Sequence, residues 1–529
     1  MTTLDDYPRA SAVRIERYRA EGLWDDRVLA DGIEVAARRR PNAVALADDT
    51  GVLGYAELAA AVTTAVTILT GHDVRPGDGV VLVCGNTRHG VVAYHGLLRA
   101  GATVVALDRR CGAADLKAAL DAVPRRPRVI IGGAEAERLA DALAGAETIP
   151  LESFGREPRP PAPATVPWTE PDRDRTAVIL FSSGTTSRPK GVLHSLNTLT
   201  AGAANMARIT GADESSVYFL VSPLTSITGV VQMHLAADSH ATLVLEDRFD
   251  PRGSLERLNA AGATMLGGAP VIAERLLRQA RGAGTGISLR TLALGGAMLA
   301  RPLLESATDD FGIEIARVYG SSEAPNFTGS LPTDDRRVRL ENDGALMPGN
   351  EVRVGSAEHP AEGLLRGPCL FLGYLDPADD AAAFEDGWYR TGDQVEVRQG
   401  RVTVVGRLKE IVNRNGLKIS LSEIDASLTE LPGTIECAAF ALPDAATGER
   451  LAVAVHPADG ASVTLDDVVT HLLALGIARR KLPEQLVRWD GPLPRTASGK
   501  VVRSRLVMEA PAKSADLAAR LRDAAPGSG

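Results

Sequence analysis

Aromatic side chains make up only 4% of the 529 residues, so the cores must be filled mainly by Ala, Val, Leu and Ile. Cysteine is scarcer still. Cys84, Cys111, Cys369 and Cys437 lie far apart, with no disulfide or metal-ligand spacing. That fits a reducing cytoplasm, where thiols serve as small core hydrophobes. No run of 18 apolar residues occurs, which excludes a membrane-spanning helix. The acidic start, Met1 to Asp6, lacks the apolar stretch of a signal peptide. Basic charge is not in excess either: a formal net charge of −9 excludes the basic footprint of a nucleic-acid binder. Small anions remain possible ligands, because local groups capture them.

What is present is a globular composition, 45% hydrophobic and 24% charged, over a length that suggests two or three units. From about residue 40, short apolar runs alternate with longer Ala/Leu-rich stretches. Residues 80–83 read as a strand, 89–99 as a helix and 103–107 as the next strand. This is the βαβ rhythm of a mainly parallel sheet. A Pro-rich, charged stretch at 156–174 reads as a linker, and the rhythm resumes at 177–180, 217–221, 292–294 and 313–318. After Gly344 the periods shorten, as in a small antiparallel barrel. The residues after the turn at Gly406 read as a separate α+β lobe, and 524–529 as a disordered tail. No internal repeat is present.

Five motifs carry chemistry. The first, Ser182-Ser183-Gly184-Thr185-Thr186-Ser187-Arg188-Pro189-Lys190-Gly191, follows a strand and gathers hydroxyls, glycine and lysine. Such a loop suits phosphate oxygens, yet it lacks the Gly-x-x-x-x-Gly-Lys-Ser/Thr spacing of the common nucleotide loop. The second, Tyr319-Gly320-Ser321-Ser322-Glu323, ends a strand, where open α/β sheets form their ligand crevice. Glu323 offers a hard oxygen for Mg²⁺ and Tyr319 a flat face for a purine. Alone, such a run is more often an ordinary loop. The third ends in Gly392-Asp393, where the carboxylate suits two vicinal hydroxyls or simply a hairpin turn. The fourth is Gly406-Arg407-Leu408-Lys409-Glu410. In the fifth, Thr496-Ala497-Ser498-Gly499-Lys500, the flanking hydroxyls and glycine set Lys500 apart from a solvated surface lysine.

In this order and at these separations, the motifs resemble those of the adenylate-forming superfamily of acyl-CoA synthetases, carrier-protein adenylation domains and luciferases, over residues 36–507. The resemblance implies an α/β fold: two βαβ-type sheet subdomains and a small β-barrel in an AMP-binding domain, 1–405, then a mobile α+β lid, 406–529. It implies an ATP-dependent ligase that joins a carboxylic acid to AMP, releases pyrophosphate and passes the acyl group to a thiol. By the same resemblance, Ser182, Ser183, Gly184, Thr185, Thr186 and Lys190 hold the phosphates of ATP. Tyr319 stacks on adenine, Ser322 touches the α-phosphate and Glu323 binds Mg²⁺. Gly295-Gly296-Ala297 and Gly320 wall the adenine and acyl pockets, Asp393 and Arg407 hold the ribose, and Lys500 reaches α-phosphate and carboxylate. Lys409 is the hinge.

The residues also depart from the family pattern. Ser226 stands where many relatives carry an aromatic or His, and with Thr228 is expected beside the acyl group; a helix N-cap is the other reading of Ser226. Met298, Glu410, Asn413 and Ser187 differ from common residues without removing an essential charge. Arg414, Lys418, Arg479, Arg480 and Lys481 suit the phosphates of coenzyme A or a solvated basic face. The acceptor is coenzyme A, the phosphopantetheine of a stand-alone acyl carrier protein or, alternatively, an amine. Residues 14–24 look like the start of aryl-acid and alicyclic-acid activating relatives. A non-catalytic scaffold on the same fold is the third class. The expected compartment is the cytoplasm.

Overall fold

The computed structural model describes residues 8–24, 29–111, 113–123, 127–133, 146–155, 172–182, 190–296, 299–408, 410–414, 417–496 and 500–523. Among these, the strands form three sheets with helices between them, a mixed α/β fold. Most of the linker read at 156–174, the tail from 524 and the phosphate loop 183–189 lie outside the described residues.

In the first sheet, Glu147–Pro150, Val129–Gly132, Gly79–Cys84, Thr103–Asp108 and Thr176–Ser182 run parallel in that order. Val80 to Val83 and Val104 to Ala106 are buried on both faces, so they read as continuous apolar runs and not as alternation. Lys190–Ser195 then pairs antiparallel with Thr176–Ser182, setting Ser182 opposite Lys190 across the mouth of the 183–189 loop.

The second sheet has a parallel part, Val44–Asp48, Thr242–Leu245, Val217–Leu220, Met265–Gly268, Thr291–Gly295 and Glu314–Tyr319. The antiparallel region expected after Gly344 joins it edge to edge. Thr328–Gly329 and Ala345–Leu346 bridge Glu314–Tyr319 to the long hairpin Trp388–Arg398 and Arg401–Arg407, then to Glu362–Arg366 and Glu351–Val354. The region read in the sequence as a small antiparallel barrel is hydrogen-bonded to the parallel strands as their antiparallel wing. The consequence is functional: the hairpin register sets Asp393 opposite Arg407 beside the end of the parallel sheet.

The third sheet is built from Ile411–Arg414, Leu417–Ser420, Thr434–Asp444, Gly448–Pro457, Gln485–Arg488 and Ala515–Leu517. Along Gly448–Pro457, Leu451, Val453 and Val455 face a core with helices Leu421–Leu428 and Leu465–Ala474. Ala452 and Ala454 face the other way, onto Trp489 and the helix Arg503–Glu509. Each fully buried Leu or Val there contributes about 1.5–3 kcal/mol. Trp489 is 5% exposed, with the Lys513 ammonium 4.5 Å from its ring centre.

Candidate functional site

Tyr319 and Gly295 end adjacent parallel strands, so both open onto the crevice at the sheet's carboxyl edge. Backbone contacts require glycine at two places. A Cβ on Gly295 would stand 2.2 Å from the Val318 carbonyl oxygen. One on Gly320 would stand 2.6 Å from the Ala324 carbonyl oxygen. The turn after Tyr319 therefore folds tightly under the crevice floor.

The Tyr319 hydroxyl donates to Asp393 Oδ2 at 3.0 Å, and Arg407 Nε donates to Asp393 Oδ1 at 3.0 Å. Burial, with Asp393 adjacent, pushes the Tyr319 phenol well above its ordinary range, so it stays a neutral donor. Asp393 in turn holds the Arg407 guanidinium firmly charged. The second and third motifs and the start of the fourth, read separately in the sequence, thus form one hydrogen-bonded unit.

Glu323 is buried at 9% exposure, and its Oε1 accepts from the Tyr374 hydroxyl at 2.8 Å. The Glu323 carbonyl also accepts from the Phe371 N–H at 2.8 Å. The Lys190 ammonium lies 4.8 Å from the centre of the Tyr374 ring and 3.0 Å from Asp379 Oδ1. Lysine, tyrosine and glutamate therefore line up from the mouth of the phosphate loop to the end of the parallel sheet.

Lys500 comes to this group from the third sheet. Arg495 and Val501 pair as a bridge, and the Thr496 N–H donates to the Lys500 carbonyl at 2.7 Å, pinching the loop that presents it. Its side chain is exposed, as at the rim of an open cleft. Crowding by surrounding atoms lowers the ammonium pKa, and Arg407 adds to that; Glu410, Asp393 and Glu323 oppose it. Lys500 is thus within electrostatic reach of both Asp393 and Glu323.

Ser226 caps the helix Ile227–Ser239: its hydroxyl accepts from the Gly229 N–H at 3.2 Å and donates to the Pro223 carbonyl at 2.7 Å. Both bonds stay within its own turn. Thr228 is half-buried in the first turn, and Gly296 follows the strand end. Ser183, Gly184, Thr185, Thr186, Ala297 and Lys409, with the side chain of Ser182, lie outside the described residues. Arg414 pairs with Glu484 at 3.1 Å and Lys481 with Glu423 at 2.6 Å, whereas Arg479 and Arg480 are exposed.

Three supporting residues escape the sequence reading. Tyr374 is one. His194 is fully buried, which lowers its pKa to about 4 and keeps the ring neutral. Its Nε2 lies 2.7 Å from the Ser322 carbonyl; a carbonyl only accepts, so Nε2 carries the proton. Arg14, half-buried in the helix Ala12–Ala20, donates to the carbonyls of Leu370 and Phe371, and the Phe371 N–H in turn donates to the Glu323 carbonyl. Trp24 Nε1 donates to the Pro368 carbonyl at 3.0 Å, pinning the same strap.

Comparison with known proteins finds similarity over most of the chain. The family described as AMP-binding enzyme matches residues 33–375, and the AMP-binding enzyme C-terminal domain matches 423–500. The chain is 30% identical to 2-hydroxy-7-methoxy-5-methyl-1-naphthoate–CoA ligase of Streptomyces carzinostaticus, over 93% of this chain and 94% of that one. It is likewise 30% identical to a salicylyl-CoA synthase / salicylate adenylyltransferase of a Streptomyces species, covering 94% and 96%. A solved anthranilate CoA ligase in complex with anthranoyl-AMP superposes with a TM-score of 0.83 over 96% of this chain and 99% of that one. At 21% identity, this last likeness speaks to the fold.

Proposed function

The chain belongs to the AMP-binding enzymes of the adenylate-forming superfamily, and from that premise we propose how its residues join a carboxylic acid to AMP and pass the acyl group to a thiol. It is an AMP-forming acid–thiol ligase. The observation that carries the residue assignment is the hydrogen-bonded unit in which Tyr319 and Arg407 both donate to Asp393, with the Glu323 carboxylate held by Tyr374.

A carboxylate attacking the α-phosphorus of ATP is one anion approaching another, so charge must be screened and the reactants aligned. Lys500 reaches both the carboxylate and the α-phosphate, holding them together. Ser182 to Lys190 cradle the outer phosphates, and Tyr319 lies against adenine. Each oxygen of Asp393 keeps a lone pair after serving Tyr319 or Arg407, enough to accept the two ribose hydroxyls. The Ser322 backbone, held by His194, lines the α-phosphate.

Glu323 would hold Mg²⁺: its Oε1 accepts from the Tyr374 hydroxyl, and the second carboxylate oxygen would be left for a hard cation. When bound, the ion neutralises charge on the phosphates.

Residues 406–529 form the lid, turning about Lys409 after adenylation so that a thiol can reach the acyl group. The names of the relatives favour coenzyme A over an amine as acceptor, and an aryl acid as substrate. The test is ATP–pyrophosphate exchange across aryl, alicyclic and fatty acids, followed by mass detection of acyl-CoA. Lys500→Ala should lower exchange by roughly 10²- to 10³-fold; undiminished exchange in that variant overturns its assignment.

A further inference from the structure

Below the crevice, one buried group has an unanswered hydrogen-bonding need. Gln232, on the helix Ile227–Ser239, is 1% exposed. Its Nε2 donates to the Gly267 carbonyl at 3.3 Å, while its Oε1 is buried without a partner. The side chain lines a void about the size of one water, bounded also by Met206, Thr210, Met265, Gly267 and Ala293. Thr210 is satisfied by Met206 and Tyr218, so the need belongs to Gln232.

The sheet recedes opposite this residue. Gly267, Ala293 and Ala316 are register partners on three adjacent strands, a row of small side chains. Ala293 precedes Gly295 by two residues, about 7 Å along a strand. The recess thus lies about 7 Å along the sheet from Gly295, one of the residues read as walling the acyl pocket.

We propose that Gln232 Oε1 accepts a hydrogen from a hydroxyl or amino substituent of the acid, so that the enzyme selects ring acids bearing a neutral hydrogen-bond donor. The inference rests on the acid-activating function above and deepens it. An anionic substituent would face a carbonyl oxygen, and a bare or methylated ring would leave that oxygen unpaired. A site built to pair a substrate hydroxyl discriminates strongly against the analogue lacking it.

The experiment measures kcat/KM for acid-dependent pyrophosphate release with benzoate and its hydroxy, amino and methyl derivatives at each ring position. At one position at least, the donor-bearing acid should exceed its methyl isostere by roughly 10- to 100-fold in the wild-type enzyme. Gln232→Met should bring that ratio near one. Gly267→Ala, whose Cβ would stand 3.2 Å from Gln232 Nε2, should also shrink it by displacing the amide. Melting temperatures of both variants report whether they fold. A wild-type ratio near one at every position, or a ratio unchanged in Gln232→Met, overturns the proposal and leaves Oε1 to an internal water. Absence of exchange with every carboxylic acid overturns the acid-activating function itself, and this proposal with it.

Discussion

At the residue scale, the site is a set of charges whose states are fixed by neighbours. The tyrosine hydroxyl at 374 steadies the Glu323 carboxylate, so Tyr374→Phe should raise the Mg²⁺ concentration for half-maximal pyrophosphate exchange roughly 10- to 100-fold. Titrating exchange with Mg²⁺ checks this. In the proposed mechanism Lys500 acts as an ammonium, and its pKa in the free enzyme is lowered from the ordinary 10.5. Activity therefore persists below that lowered pKa and falls as pH rises through it. The alkaline limb of kcat/KM for ATP should lie below pH 10.5 and vanish in Lys500→Arg, whose charge does not titrate there. The principal charged residues were legible because each sits in a motif of several unusual residues. Tyr374, His194 and Arg14 were not: each is a lone residue whose partner lies 51, 128 or more than 350 positions away. Gln232 is hidden for the same reason, since nothing in its helix marks it as unpaired.

At the scale of elements, Arg503 links the turn after the hinge to the segment that carries Lys500. Its guanidinium pairs with Glu410 at 3.1 Å and with Asp425 of the helix Leu421–Leu428, and its Nε donates to the Ala439 carbonyl. Arg503→Ala should destabilise the lobe built on the third sheet by about 2 kcal/mol, a figure that allows for the pair's partial exposure. It should also slow adenylation by loosening the Lys500 loop. Chemical denaturation and exchange assays together check both. The strands read near 80–83, 103–107, 177–180, 217–221, 292–294 and 313–318 and the helix at 89–99 were legible from apolar runs and their spacing. The join between the parallel sheet and its antiparallel wing was not, because Thr328–Gly329 and Ala345–Leu346 are two residues long and too short to show periodicity. Ser226 carries a cap signature, and that reading of the residue agrees with its hydrogen bonds.

At the scale of the whole molecule, the proposed mechanism divides one reaction between a large α/β body and a lobe that lends it a lysine. If that lobe must turn for the thiol to enter, fixing φ at Lys409 should separate the half-reactions. Lys409→Pro should keep pyrophosphate exchange within about threefold and slow acyl-CoA formation by roughly tenfold or more; rapid-quench kinetics on each half-reaction would show it. The scarcity of aromatics makes such motion convenient to follow. Of four tryptophans, 24, 168, 388 and 489, the last packs against the third sheet. Replacing the other three with phenylalanine would give a single-fluorophore enzyme whose emission wavelength and quenching report that lobe alone. Its unfolding, and its solvent shielding at each stage of turnover, then become readable by light in a cuvette, without any attached dye.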